Sequence, residues 1–84
     1  MIVERTEIKE KVFDLLKQYS RKEINWSEAT EATNILTELR VNSARFIDLV
    51  LDVEDEFKIQ IEDAITNQII NIGDLINIIS EKLN

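Results

Sequence analysis

Residues 42–57 read Asn-Ser-Ala-Arg-Phe-Ile-Asp-Leu-Val-Leu-Asp-Val-Glu-Asp-Glu-Phe. At about 3.6 residues per turn, this segment predicts an amphipathic helix over residues 43–57. One narrow stripe is apolar and is expected to face the core: Phe46, Leu49, Val50, Val53 and Phe57. The opposite side is acidic and carries Asp48, Asp52, Asp55 and Glu56.

A second apolar strip lies between the core stripe and the acidic side. This strip, which we call the flank, consists of Ala44, Ile47 and Leu51. Because these residues are off the core stripe, the core does not account for them. Apolar side chains beside carboxylates suit a basic, partly apolar protein partner.

The other apolar patterns predict an all-α fold, a small bundle of three longer helices and one short helix. A first helix over residues 4–20 follows from the helical spacing of Ile8, Val12, Leu15, Leu16 and Tyr19. A short helix is predicted within residues 62–69, with Ile65 and Ile69 facing inward. Asn71 and Asp74 resemble a capping box before a last helix that carries Ile72, Leu75, Ile76, Ile79 and Leu83.

Two segments lack a helical period. Residues 21–42 are rich in Asn, Ser and Thr, whose side chains compete with helical hydrogen bonds, and they predict a long first loop. We expect a short helical turn within residues 28–36 and apolar anchors at Ile24, Trp26, Ile35, Leu36 and Leu39. Residues 58–61 alternate like a strand but have no partner strand, so they predict an extended connector that buries Ile59 and Ile61.

Composition narrows the functional classes. The chain has 84 residues, one glycine, and no cysteine, histidine or proline, which predicts one domain over residues 1–84. Disulfides, thiolate metal sites and nucleophile–histidine catalysis are excluded, and we expect no enzyme activity. The acidic run at residues 52–56 lacks the glycine of a calcium loop, so we expect no metal site.

Charge and hydropathy narrow the partners. The net charge of −7 disfavours nucleic acids and anionic lipid surfaces and favours basic proteins. No segment approaches the roughly 18 apolar residues of a membrane span, and residues 1–5 do not resemble a signal peptide. We therefore expect a cytoplasmic monomer without membrane insertion.

Ser43 lies where the loop becomes the helix. Unpaired backbone N–H groups and the positive end of the helix dipole lie beside its hydroxyl, an environment suited to a phosphate ester. An alternative interpretation is purely structural, since Asn42 or Ser43 could simply cap the helix. On the local physics alone, the cap is favoured.

From Glu38 to Ile79 the sequence resembles the acyl carrier proteins without a gap. The family's Asp-Leu-Gly-x-Asp-Ser-Leu is similar to Glu-Leu-Arg-Val-Asn-Ser-Ala at residues 38–44. Its Glu-Glu-Glu-Phe-Gly-Ile-Glu-Ile resembles Glu-Asp-Glu-Phe-Lys-Ile-Gln-Ile at residues 54–61, and its Val-Gly-Asp resembles Ile-Gly-Asp at residues 72–74.

The resemblance implies a carrier that is modified on Ser43 with a 4′-phosphopantetheine arm, transferred from coenzyme A by a phosphopantetheinyl transferase. The arm would hold an acyl or aminoacyl group as a thioester for other enzymes. These would be a loading ligase and acyl-transferring or condensing enzymes. Asn42 would lie at the attachment site, and partners would contact Ala44, Ile47, Asp48, Leu51, Asp52 and Asp55.

Several motif residues depart from the family pattern. Asn42 replaces an aspartate, Ala44 a leucine, Arg40 a glycine and Arg45 an acidic residue. These changes indicate a specialised carrier. They also motivate an alternative, a carrier-fold interaction module that is no longer phosphopantetheinylated.

Overall fold

In the computed structural model, which describes residues 3–20 and 23–84, four α-helices form the fold. They are α1 (Arg5–Tyr19), α2 (Ser43–Phe57), α3 (Asp63–Thr66) and α4 (Ile72–Leu83). Within those ranges there is no strand, only an isolated antiparallel bridge between Asn34 and Asn71. The predicted all-α fold with three longer helices and one short one is confirmed, and α2 has the predicted bounds.

Four residues with sequence-based expectations lie outside the described ranges. Arg21 and Lys22 begin the predicted loop, and Met1 and Ile2 belong to the segment compared with a signal peptide. Within the described residues, no helix combines the length and apolar character needed to cross a membrane.

The core lies where α1 packs against both α2 and α4. Its helical members are Ile8, Val12, Leu16, Phe46, Leu49, Val50, Val53, Ile72, Leu75, Ile76 and Ile79. The predicted stripes are therefore confirmed at these positions. Leu15, Tyr19, Phe57 and Leu83 were expected in the same stripes but are only partly buried, because they pack against the core from its margin.

The first loop is held to the end of the chain by backbone hydrogen bonds. Ile35 N–H donates to Ile70 O at 3.0 Å, and Ile72 N–H donates to Thr33 O at 3.1 Å. Ile35 and Leu39 are buried, and Ile24 and Trp26 are partly buried, as predicted.

Leu36 does not anchor the loop, so its prediction was wrong. Its side chain is 42% exposed. The pairing with Ile70 turns Ile35 into the core, and the adjacent Leu36 consequently faces outward.

The helical turn in this loop begins earlier than predicted. It is a 3-10 turn over Trp26–Glu28, so only Glu28 falls within the expected range. Asn25 starts it, because its side-chain oxygen accepts the Ser27 N–H at 3.2 Å. Phe13 of α1 packs edge-on against Trp26, with ring centroids 6.0 Å apart.

The segment between α2 and α4 follows the prediction in outline. Ile61 is buried and Ile59 partly buried in an extended connector. The helix α3 is shorter than expected, so Ile69 is buried after the helix has ended, whereas Ile65 is partly buried within it. The Thr66 hydroxyl donates back to Glu62 O at 3.2 Å, a local bond that competes with continued helix.

The predicted capping box at the start of α4 is confirmed. Asp74 N–H donates to Asn71 Oδ1 at 2.8 Å, and Asn71 N–H donates to Asp74 Oδ2 at 3.2 Å. Gly73 N–H donates to Glu31 O at 2.8 Å, and a Cβ on Gly73 would lie 3.1 Å from that oxygen. Glycine thus allows the first loop to approach α4 closely.

Two basic residues adopt left-handed backbone conformations. Arg40 and Lys58 both have φ of 57°, where an L side chain is disfavoured and glycine is not. Both positions correspond to glycines in the motifs compared above. The backbone conformation explains why glycine suits them.

Candidate functional site

Ser43 is the first residue of α2, and its side chain is exposed. The cap of this helix is Asn42, whose Oδ1 accepts the Arg45 N–H at 2.9 Å. Of the two capping residues considered from the sequence, Asn42 therefore has that role. Among the described residues, no group hydrogen-bonds the Ser43 hydroxyl, which remains accessible from solvent.

The first turn of α2 has more backbone N–H donors than acceptors among the described residues. Phe46 N–H donates to Asn42 O at 2.8 Å, and Arg45 N–H is used by the cap. The N–H groups of Ser43 and Ala44 have no acceptor among the described residues. Two such donors at the positive end of a helix dipole favour an anionic group beside Ser43.

A groove of about 220 Å³ adjoins Ser43. It lies between the start of α2, the end of α3 and the first loop, and its lining is mostly apolar. The lining residues are Leu36, Ser43, Phe46, Ile47, Thr66, Asn67 and Ile69. The serine thus opens directly onto a space that an extended, partly apolar chain could enter.

The flank lies on the solvent side of α2. Ile47 and Leu51 are 53% and 57% exposed, and Ala44 is also exposed. The core is complete without them. Large apolar side chains left in solvent on one helix form a surface suited to another protein.

The acidic side chains of α2 differ in what they contact. Asp48 pairs with Arg45 at 3.5 Å, and Glu56 pairs with Lys11 at 3.2 Å. Asp55 is exposed and has no ion pair within residues 3–20 and 23–84. Across the described residues, no group of three acidic side chains is arranged to hold a metal ion.

Asp52 is tied to α1. The Tyr19 hydroxyl donates a hydrogen bond to Asp52 Oδ2. This hydrogen bond, and to a smaller extent the burial of the phenol, raises the pKa of Tyr19 above its usual value. Asp52 is half-buried, whereas Asp48 and Asp55 are exposed.

Sequence reasoning missed two parts of this region. Leu36, Thr66, Asn67 and Ile69 line the groove beside Ser43, although they come from segments interpreted as loop anchor and short helix. The contact of Tyr19 with Asp52 joins two helices 33 residues apart. The sequence contained one sign of the groove. Leu36 is a large apolar residue in a loop that has four other predicted apolar anchors to hold it to the core, so Leu36 was available for another surface.

Two known proteins are similar to this chain in sequence. The chain is 30% identical over 77 residues to the acyl carrier protein of Thermotoga maritima. The aligned region covers 89% of this chain and 95% of that protein. It is 28% identical over 75 residues to the acyl carrier protein of a Picosynechococcus species, covering 87% and 93%.

A solved structure is similar as well. The fold superposes on the acyl carrier protein of Enterococcus faecalis with a TM-score of 0.80 and 26% identity, over 95% of this chain and 99% of the other. No protein-family model matches the sequence.

Proposed function

The chain belongs to the acyl carrier protein family, and on that premise we propose that Ser43 carries a 4′-phosphopantetheine arm. Members of this family are carriers rather than enzymes and normally hold that group covalently. The single observation that carries the proposal is the exposed Ser43 hydroxyl at the N-terminus of α2, left free by the Asn42 cap.

The surroundings of Ser43 fit the group. The N–H groups of Ser43 and Ala44, which have no acceptor in the described part of the chain, would favour the phosphodiester, since helix N-termini bind phosphates. The groove bounded by Leu36, Ile47 and Ile69 offers an apolar wall beside the attachment point. When bound, the arm supplies a thiol that holds an acyl or aminoacyl group as a thioester.

The partners we propose are a phosphopantetheinyl transferase, a loading ligase for acyl or aminoacyl groups, and acyl-transferring or condensing enzymes. They would dock on the flank and on the carboxylates of Asp48 and Asp55. Asp52 would join this docking surface through the carboxylate oxygen that Tyr19 does not use. The whole chain, residues 1–84, acts as one carrier domain in this proposal.

Mass spectrometry tests the attachment. The protein is incubated with coenzyme A and several phosphopantetheinyl transferases, alongside Ser43→Ala and, as a matched control, Ser27→Ala, which changes another exposed serine. We expect one phosphopantetheinyl group on the wild-type and Ser27→Ala proteins, and none on Ser43→Ala.

Two outcomes would count against the proposal. An adduct that survives Ser43→Ala would place the arm elsewhere. A chain that stays unmodified with every transferase, and is also unmodified when purified from its own cell, would favour the alternative of an interaction module without the arm.

A further inference from the structure

Arg45 is a basic residue within the surface proposed for partner docking. It lies in the first turn of α2, two residues after Ser43, where the helix dipole disfavours a positive charge. Its side chain is half-exposed and pairs with Asp48, three residues further along the helix. A positive charge in the first turn of α2 thus interrupts the acidic side of the helix.

Tyr19 holds Arg45 in this position. The guanidinium carbon lies 4.4 Å from the centroid of the Tyr19 ring, a cation–π stacking distance. The ring is itself fixed by the hydrogen bond from its hydroxyl to Asp52. Because the ring and Asp48 both contact the guanidinium, its position on the surface of α2 is fixed.

Contacts within the chain engage most of the carboxylates on the acidic side of α2. Arg45 pairs with Asp48, Tyr19 uses Asp52, and Lys11 pairs with Glu56. Within the described part of the chain, Asp55 is the α2 acid on the solvent side that has no such contact. The surface of α2 therefore changes from a balanced pair of charges at Arg45 and Asp48 to an unpaired negative charge at Asp55 further along the helix.

Resting on the proposed function, we infer that Arg45 is a specificity-determining residue for partner enzymes. It favours a partner that places an acidic side chain opposite Arg45 and basic side chains further along α2. It opposes a partner whose docking surface is basic throughout. Like charges brought together at an interface disfavour the wrong partner, whereas complementary charges favour the right one.

Binding measurements test this without any covalent modification. All proteins carry Ser43→Ala, and the probe is a phosphopantetheinyl transferase with a uniformly basic carrier-docking surface. The Kd is measured at low and high salt for the parent, for Arg45→Glu and for Lys17→Glu. Lys17→Glu changes the net charge equally, but on the side of α1 that faces Trp26.

We expect Arg45→Glu to tighten binding about tenfold at low salt, with a smaller gain at high salt. Lys17→Glu should change the Kd by less than about twofold, since its charge lies outside the docking surface. In a reciprocal arm, single basic-to-glutamate changes are made on the transferase surface. At least one of them should tighten binding of the parent protein but not of Arg45→Glu.

Three results would overturn the inference. Equal gains from Arg45→Glu and Lys17→Glu would mean that only net charge matters. An unchanged Kd for Arg45→Glu would mean that the guanidinium does not face the partner. A complete lack of binding by every protein would mean that reversing this charge does not restore docking. Failure of the attachment proposal is distinguished from these results, because it is read from the mass of the Ser43-containing protein.

Discussion

The two sides of α2 carry apolar residues of similar size that differ in burial. Leu49 is fully buried, whereas Leu51, two residues later, is 57% exposed. The buried side completes a core with α1 and α4, and the exposed side has no such partner among residues 3–20 and 23–84. An apolar side chain is therefore not enough to assign a residue to the core. The residue's angular position on the helix makes the assignment.

The largest expected effect comes from breaking the buried side. Leu49→Ala should lower the free energy of unfolding by about 2–5 kcal/mol, because it removes fully buried atoms and leaves a cavity. Leu51→Ala should change it by less than about 0.5 kcal/mol, as for other surface substitutions. Urea denaturation followed by circular dichroism measures both, and equal losses would show that the two sides are wrongly assigned.

Leu51 also tests whether the exposed side of α2 binds partner proteins. Leu51→Glu should leave the urea midpoint nearly unchanged but weaken transferase binding about tenfold, because a charge replaces an apolar contact on the flank. Gln18→Glu, an exposed substitution in α1, adds the same negative charge away from the flank and serves as its control. Unchanged transferase binding in Leu51→Glu would remove the flank from the docking surface.

Phe57 sharpens the boundary between the two sides. A fully buried phenylalanine replaced by alanine would lose about 3–5 kcal/mol of stability, the value expected from the stripe pattern. Since Phe57 is only half-buried, we expect Phe57→Ala to lower the free energy of unfolding by less than about 3 kcal/mol. A loss at least as large as that of Leu49→Ala would contradict this placement.

Arg40 and Lys58, which lie before and after α2, test the cost of a left-handed backbone conformation. Lys58→Gly and Arg40→Gly should each raise the free energy of unfolding, by up to about 1 kcal/mol, because glycine relieves the left-handed conformation. Lys17→Gly, inside α1, should lower it by about 1 kcal/mol. Thermal denaturation compares the three, and destabilisation by Lys58→Gly would mean that its side-chain contacts outweigh the strain.

The hydrogen bond between Tyr19 of α1 and Asp52 of α2 is expected to have the smallest effect on stability. The pKa of Tyr19 is raised by its hydrogen bond to Asp52, so the folded state favours the protonated phenol. This contribution to stability is present below the unfolded-state pKa of about 10 and is lost as the pH rises through the higher folded-state pKa. Relative to Tyr19→Phe, the wild-type protein should therefore lose stability above about pH 10.

Denaturant midpoints at neutral and alkaline pH measure this difference. Lysine titration contributes to both proteins alike, so the comparison with Tyr19→Phe isolates the phenol. Parallel curves for the two proteins would show that the Tyr19–Asp52 hydrogen bond does not contribute to stability.

Much of this fold could be predicted from local patterns. The bounds of α2 follow from its apolar period and from Asn42, and the start of α4 follows from the Asn71–Asp74 box. The position of the 3-10 turn and the outward orientation of Leu36 could not be predicted. Both depend on backbone pairing between the first loop and residues 70–72, which are distant in sequence.

The region around Ser43 divides in the same way. Its place at the start of an amphipathic helix, with an apolar flank and carboxylates beyond, could be read from the chain, because helical periodicity fixes which residues share a side. The groove beside it and the contacts of Tyr19 with Arg45 and Asp52 could not.

Local sequence therefore determined the helices, their caps and the side on which Ser43 and the flank lie, since these depend on residues within a few turns of one another. Only the tertiary structure decided which carboxylates remain available, what encloses the groove, and where Arg45 holds its charge. Those outcomes depend on which helix and loop surfaces meet, and side chains far apart in the chain come into contact only when the core has formed.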